Sequence, residues 1–476
     1  MANINPIKTL KNKPLIYSVN FDEDVDRLDC TWFNPEINKK IKEIEKLSEK
    51  KLKISLNKIS KVSGGKRLPK DTVLMEDENH YIPYVRGVDV KELKVNIEKT
   101  QKITKEIHKL IQNYQLKKND LVVSIVGTIG NVGILDEDVE VCDFTENIAK
   151  VRVFDEKINH KYLLYYLDSD LAKVQFEKFS VGSLQYKLSL NSLRNNIKFI
   201  VPSNKDSYSE SKQNSILKKI EDSFLKADKM KLEANKIIDK ANNFLLEKLK
   251  IKIPSSNELD FFKTNLGDEP DRLDALFNNP KRDLLKENIK KYFSWDFLEN
   301  IIEFEEDKKV APSEYYNLID LSDINEKIGK ITSSREVSDL GSQKVLLKNN
   351  TILISKLQPE QGKIVIVDNN FSGSVASSEL IPIRVKKEGV SLEYLWVVLR
   401  SQYTLKQWAY SLTGSSRMRI GKTEINETVI PIPSESERKI IVKQVFNLFK
   451  EADEIIKESE EIKEKAKQEL VKILIN

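Results

Sequence analysis

The sequence predicts an α+β protein made of two α/β domains alternating with two long helices that pack as an antiparallel coiled coil, a pseudo-twofold tandem repeat. Three observations predict it: one residue pattern stated twice, short β-branched runs inside each copy, and a long helical period closing each copy. Asp26-Arg27-Leu28-Asp29, followed by Asn34-Pro35, returns about 245 residues later as Asp271-Arg272-Leu273-Asp274, followed by Asn279-Pro280. Lys118-Asn119-Asp120, ahead of an apolar run ending at Ser124, returns as Lys348-Asn349-Asn350 ahead of a run ending at Ser355. Tyr162-Leu163 returns as Tyr394-Leu395, Gly182-Ser183 as Gly414-Ser415, and Ala227-Asp228 as Ala452-Asp453.

The first domain occupies residues 1–208. Its runs 121–126, 148–153 and 197–201 are short, β-branched and bounded by Gly, Asn, Asp or Pro, which predicts strands; residues 35–50 and 161–179 carry helical periods. Residues 209–254 form the first spacer helix. From 209 to 251 they contain neither Pro nor Gly, and Ile216, Ile220, Phe224, Ala227, Ala234, Ile238, Ala241, Leu245 and Leu249 recur at steps of mostly three and four. The second domain, 255–433, repeats the pattern with strands at 351–355, 364–367 and 380–385. The second spacer helix, 434–476, opens with Ser434 and Glu437 spaced as a capping box. Its seam runs through Ile441, Val445, Leu448, Ala452, Ile456, Ile462, Ala466, Leu470 and Ile473. A helix of about 40 residues runs roughly 60 Å, and neither can leave such a seam in water. Pairing the two across a pseudo-twofold axis makes them antiparallel and predicts a caliper with one domain at each end. Duplex DNA is a two-sided target that suits it.

Composition narrows the function classes. At 476 residues the chain is too long for one core. Lys and Arg number 79 against 74 Asp and Glu, a net charge of +5, so any nucleic-acid contact must come from local distribution. The two cysteines, Cys30 and Cys142, make no disulfide framework and, with three scattered histidines, no metal site. No signal peptide is read at the N-terminus, and no apolar run reaches membrane-spanning length. The expectation is a soluble, cytoplasmic protein.

Two loops concentrate cations around glycines. Lys58 to Lys70 holds Lys61, Lys66, Arg67 and Lys70 beside Gly64-Gly65 and Pro69; glycines admit close backbone approach, and Lys and Arg supply charge for phosphate or a guanine edge. The other is Thr413 to Lys422, with Arg417, Arg419 and Lys422. Its repeat-mate in the first domain offers Gln185, Tyr186 and Lys187 instead. Arg favours guanine and Gln adenine in the major groove, so the two domains are expected to read different sequences. Arg86, Lys356 and Gln358 complete the candidate set. The glycines of 127–133 lack GxGxxG spacing and lie between two strand-like runs, which predicts a turn rather than a cofactor loop. Asn34-Pro35 and Asn279-Pro280 lack the second proline and aromatic of an amino-methyltransferase tetrad. With no S-adenosylmethionine loop, Walker A motif or nuclease core, the chain is expected to be non-catalytic, with no cofactor or metal of its own.

In order and duplication these features resemble the DNA-specificity subunit of type I restriction–modification enzymes over nearly the whole chain. Gly65 to Lys70 and Ile82 to Val90 resemble that family's opening strand and loop, Asp120 to Gly130 its central hairpin, and Tyr316 to Ile324 with Ile430 to Pro433 the matching parts of the second domain. The resemblance implies two target-recognition domains reading a bipartite asymmetric DNA site. It implies as partners two methyltransferase subunits carrying S-adenosylmethionine, and restriction/translocase subunits using ATP and Mg. One departure stands out. The family commonly starts its helices through a Pro-rich stretch ending in Glu-Gln, whereas here Ser209-Glu210-Ser211-Lys212-Gln213 and Ser434-Glu435-Ser436-Glu437-Arg438 occupy those places. The alternative is a DNA-binding caliper or adaptor of another defence or chromosome-maintenance complex without a methyltransferase. A DNA-modifying enzyme in its own right is opposed by the missing cofactor loop.

Overall fold

The structure, a computed structural model, describes residues 30–47, 52–70, 72, 81–98, 100–139, 141–182, 186–201, 203–204, 207–208, 210–254, 272–273, 275–305, 315–337, 344–414 and 418–475. Asp26 to Asp29, Asp271, Asp274, Gln185 and Arg417 lie outside the described residues. The chain divides into two compact units, residues 1–227 with 460–476, and residues 228–459, so each long helix is shared between them.

In the first unit a six-stranded sheet runs in the order Ser60–Gly64, Ile148–Val153, Leu121–Ser124, Val132–Ile134, Leu93–Val95, Val90–Lys91. Leu121 to Ser124 is buried at every position. Alternate side chains explain it: Leu121 and Val123 enter the core shared with the helices, and Val122 enters a second core on the opposite face. A strand covered on both faces reads as an unbroken apolar run. A smaller sheet joins Gln101–Ile103, Ile82–Val85 and Asp143–Phe144.

The second unit repeats the plan. Ile302–Phe304, Leu380–Val385, Ile352–Ser355 and Ile364–Ile366 form its central sheet, again with Ile352 and Ile354 in one core and Leu353 in another. Tyr316–Ile319 and Val375–Ala376 form a parallel pair, as Ile82–Val85 and Asp143–Phe144 do in the first unit.

The duplicated sequence marks have structural causes. The Asn34 side chain accepts from the Glu36 and Ile37 amides (3.0 and 3.3 Å), and Asn279 accepts from the Lys281 amide (3.0 Å). Each Asn-Pro pair is therefore a helix N-cap followed by proline at the first helical position, where its missing N–H costs nothing. Asn119 and Asn350 both sit at positive φ (69° and 64°), which Asn tolerates better than most residues. The structure thus matches Asn350 to Asn119, one residue earlier than the Asp120 to which the sequence echo matches it. The helix expected over 161–179 is two helices, His160–Asp168 and Asp170–Phe179. Ser169 breaks it, extended at ψ 159°, with its hydroxyl donating to the Tyr166 carbonyl (2.6 Å). Ser401 does the same between Leu392–Leu399 and Gln402–Ala409, its hydroxyl donating to Val398.

The first long helix spans Glu210–Lys248 and the second Glu435–Ile475. In the second unit Ala234 clusters with Ala452 and Ile456, whereas Ala241, Leu245 and Leu249 share a core with Ile441, Val445 and Leu448. Rising numbers on one helix meet falling numbers on the other, so the helices pack antiparallel. In the first unit Ile216 and Ile220 share a core with Leu470 and Leu474; Phe224 packs against it half-buried, and Ala227 is buried. Ile238 is half-buried, and Ala466 is buried. The capping box forms, with the Ser434 amide donating to Glu437 (2.9 Å) and the Glu437 amide to the Ser434 hydroxyl (3.4 Å).

Candidate DNA interface

The antiparallel register of each central sheet gathers loops at one end. In the first unit the strands finishing at Gly64 and Ser124 and those starting at Val132 and Ile148 meet there, since Gly64 pairs with Ala149, Ser124 with Ile148 and Val123 with Val132. Segments 65–70, 125–131 and 144–147 all leave the sheet from this end. Residues 186–188 join them: the Leu188 amide donates to Ile125 (2.9 Å) and the Gly127 amide to Tyr186 (3.2 Å). Gly65 is required by crowding, because a Cβ would lie 2.2 Å from the Phe144 carbonyl oxygen. That approach lets the Lys66 amide donate to Phe144 (3.0 Å), while the Tyr84 hydroxyl donates to the Lys66 carbonyl (2.8 Å).

Lys66, Arg67, Lys70, Tyr186 and Lys187 are all exposed around this end. The Arg67 Nε donates to Glu146 at 2.5 Å, and that hydrogen bond raises the guanidinium pKa further. Two candidates stand apart. Lys61 is exposed but lies opposite Arg152, toward the other end of its strand. Arg86 is half-buried, its Nε and Nη2 donating to Asp89 (3.1 and 3.3 Å), which fixes the turn after Ile82–Val85.

The second unit builds the same end from different side chains. Strands finishing at Phe304 and Ser355 and starting at Ile364 and Leu380 meet there. The Ile420 amide donates to Lys356 (2.9 Å) and the Gln358 amide to Met418 (3.3 Å), so 356–358 and 418–420 run side by side, as 125–127 and 186–188 do in the first unit. This unites Lys356, Gln358, Arg419 and Lys422. Lys356 donates to the Ser378 carbonyl (2.7 Å), Arg419 donates to Glu379 (3.0 Å), and the Lys422 ammonium stands 5.0 Å from the centre of the Phe304 ring. Gln358 is exposed at φ +46°.

Sequence reading missed Glu146 and Glu379, the carboxylates that hold the exposed Arg67 and Arg419. No local signal marks them, because they lie 79 and 40 residues from their partners. It also missed Arg400, which is buried and donates to four carbonyls: Gly362, Ile364, Glu326 and Lys327 (2.7–3.3 Å). Burial pushes its guanidinium down to about 9, which leaves it charged at neutral pH. Arg400 thereby anchors the base of the loop carrying Gln358. Gly329 makes room for it, since a Cβ there would lie 2.3 Å from the Arg400 Nη1.

Behind these loops each unit braces its domain on a long helix. The Gln213 side-chain amide donates to the Lys157 carbonyl (2.8 Å), and its carbonyl accepts from the Asn159 amide (3.1 Å). Arg438 donates to the Gly389 carbonyl (2.8 Å) and to Pro433. The shift of 232 that carries Tyr162 to Tyr394 carries Lys157 to Gly389, and the shift of 225 that carries Ala227 to Ala452 carries Gln213 to Arg438. The departure at the start of the second helix therefore keeps the same hydrogen bond. Among the described residues, no helix is long and apolar enough to cross a membrane.

The family model for the type I restriction modification DNA specificity domain matches residues 48–243 and 295–464. The type I restriction enzyme EcoBI specificity subunit of Escherichia coli is 28% identical over 169 residues, 35% of this chain and 34% of that subunit, so the chain aligns with about a third of the relative's length. The S subunit of a type I restriction-modification system from M. genitalium is 14% identical, covering 88% of this chain and 95% of that one with a TM-score of 0.36. The HsdS subunit from Thermoanaerobacter tengcongensis is 13% identical, covering 89% and 96% with a TM-score of 0.30. With the family model matching most of the chain, in two regions that fall one in each repeat, this protein belongs to the type I restriction–modification DNA-specificity family.

Proposed function

We propose that the chain is the sequence-reading subunit of a type I restriction–modification complex and recognises a bipartite, asymmetric DNA site, one half through each domain. The observation that carries this is the pair of equivalent loop clusters with unequal chemistry: Arg67, Tyr186 and Lys187 in one, Gln358, Arg419 and Lys422 in the other. Equivalent position supports a shared task, and different side chains support different targets. The arginine–glutamate pairs fit base reading. Arg offers a fork for guanine O6 and N7, Glu accepts from cytosine N4, and a carboxylate beside the arginine disfavours phosphate. Holding the guanidinium in place before binding also lowers the ordering cost.

Catalysis is assigned to partners: methyltransferase subunits with S-adenosylmethionine, and restriction/translocase subunits with ATP and Mg. Long-read modification mapping of cells making this chain with its neighbouring methyltransferase tests the proposal. The expected result is a new methylated motif of two short blocks around a fixed unspecified gap, absent when this chain is absent. No new mark, with the methyltransferase active beside another specificity subunit, would favour an adaptor without a methyltransferase.

A further inference from the structure

The two repeat shifts bring a pair of clefts into correspondence. The first, about 430 Å³, lies in the first unit between the N-cap of His160–Asp168 and the opening turns of the first long helix. The second, about 250 Å³, lies in the second unit between the loop before Leu392–Leu399 and the opening turns of the second long helix. Four lining positions correspond under those shifts: Asn159 with Ser391, Asn214 with Lys439, Leu217 with Val442 and Lys218 with Lys443. Each cleft thus has a helix-capping side chain on one wall, an aliphatic residue between, and a lysine on the other wall.

The neighbouring cations are engaged. Lys161 pairs with Glu221 (2.7 Å), Lys439 pairs with Glu435 (2.6 Å), and Arg438 serves the Gly389 and Pro433 carbonyls. Lys218 and Lys443 are exposed, and neither pairs with a carboxylate among the described residues. The clefts also face away from the DNA loops. Asn119 and Ile134 line the first, at the sheet end opposite Ser124 and Val132, and Gly389 lies beyond the far end of Leu380–Val385.

A surface retained in both repeats, in a chain whose reading loops have diverged, serves something bound twice. We infer that the two clefts dock two copies of one protein partner, each presenting an acidic side chain to Lys218 or Lys443 over the aliphatic strip. This rests on the specificity-subunit reading and locates where its two methyltransferase subunits seat.

The test uses the full-length chain purified with the methyltransferase subunit, with stoichiometry read by native mass spectrometry and affinity by titration. The wild type is expected to hold two copies, Lys218→Glu or Lys443→Glu one, and the double variant none. Each reversal should weaken its own site by at least about tenfold, in a salt-sensitive manner. Lys226→Glu, on the exposed face of the same helix but outside the cleft, is expected to keep two copies. Two copies held at wild-type affinity by the double variant would overturn the docking proposal alone, as would equal loss in Lys226→Glu. A wild-type chain that takes up no methyltransferase would overturn the specificity-subunit reading, and the docking proposal with it. Thermal melts of all variants separate lost docking from lost folding. Should a reversal melt early, Lys218→Gln with Lys443→Gln supplies the same comparison without introduced repulsion.

Discussion

Arg67 and Arg419 solve one problem with two local solutions. Each is an exposed guanidinium held by a carboxylate that lies just before a strand of the central sheet, Glu146 before Ile148–Val153 at 2.5 Å and Glu379 before Leu380–Val385 at 3.0 Å. If Arg419 reads a base, Arg419→Ala removes recognition at one half-site only, at a cost of about 1–3 kcal/mol. Binding to panels of DNA varied one position at a time checks this. The expected result is relaxed preference at one or two neighbouring positions of a single block, with the other block unchanged. Uniform weakening across all sequences, with a reduced salt slope, would mark Arg419 as a phosphate contact instead. At this scale the sequence was informative where a residue type has one physical reason to recur. Asn before Pro is a cap, Asn before a strand takes positive φ, and glycine beside glycine admits a close carbonyl. It was silent on which cations are committed elsewhere. Arg86 is turned onto Asp89, and Lys61 lies toward the wrong end of its strand, yet both looked equal to Arg67 in the sequence.

The long helices were legible because an apolar period sustained over 39 and 41 residues fits little besides a long helix with one buried face. The break at Ser169 was not, because a serine inside a helical period is ordinary; only its burial and its bond to Tyr166 make it a boundary. The echo Ala227-Asp228 and Ala452-Asp453 also gains meaning at this scale. Ala452 is fully buried, allowing close approach of Ala234 and Ile328, and Asp453 beside it receives Lys330 from the domain and Lys457 from the next helical turn (3.1 Å). Burial alone would raise the Asp453 carboxyl, but hydrogen bonds from Lys330 and Lys457 hold it below the ordinary aspartate value. A depressed folded pKa adds stability above the unfolded value, about 3.9, and that stability is lost as pH falls through the folded value. Asp453→Asn is therefore expected to lower stability by about 1 kcal/mol at neutral pH, discounted because Lys330 is half exposed. The difference from wild type should shrink toward zero on acidification below about pH 4. Thermal melts of both proteins across that range measure it, and a constant difference would show that the two lysines contribute nothing to the pH dependence.

Duplication separates two kinds of surface in this molecule. What both repeats keep is bracing: a side chain at Gln213 or Arg438 binding the loop before a helix, a serine at Ser169 or Ser401 ending one helix, and a lysine at Lys218 or Lys443. What they do not keep is the chemistry at the loop end of each sheet. The sequence showed the repeat, because marks such as Tyr162 and Tyr394 are large, buried and hard to replace, but the loops carry no such constraint and their meaning needed the register of the strands. A division of this kind implies that reading is portable. Replacing residues 255–433 with the corresponding domain of another specificity subunit, while keeping both long helices, should preserve one block of the methylated motif and change the other. Preservation requires that the graft keep the Arg438-to-Gly389 bond and the Trp396 ring against Phe446 and Phe449 (5.0 and 5.6 Å between ring centres), since these seat the domain on its helix. Modification mapping of the chimera decides it. If both blocks change together, each block is read by residues from both domains, and the unequal loops at the two sheet ends are not independent readers.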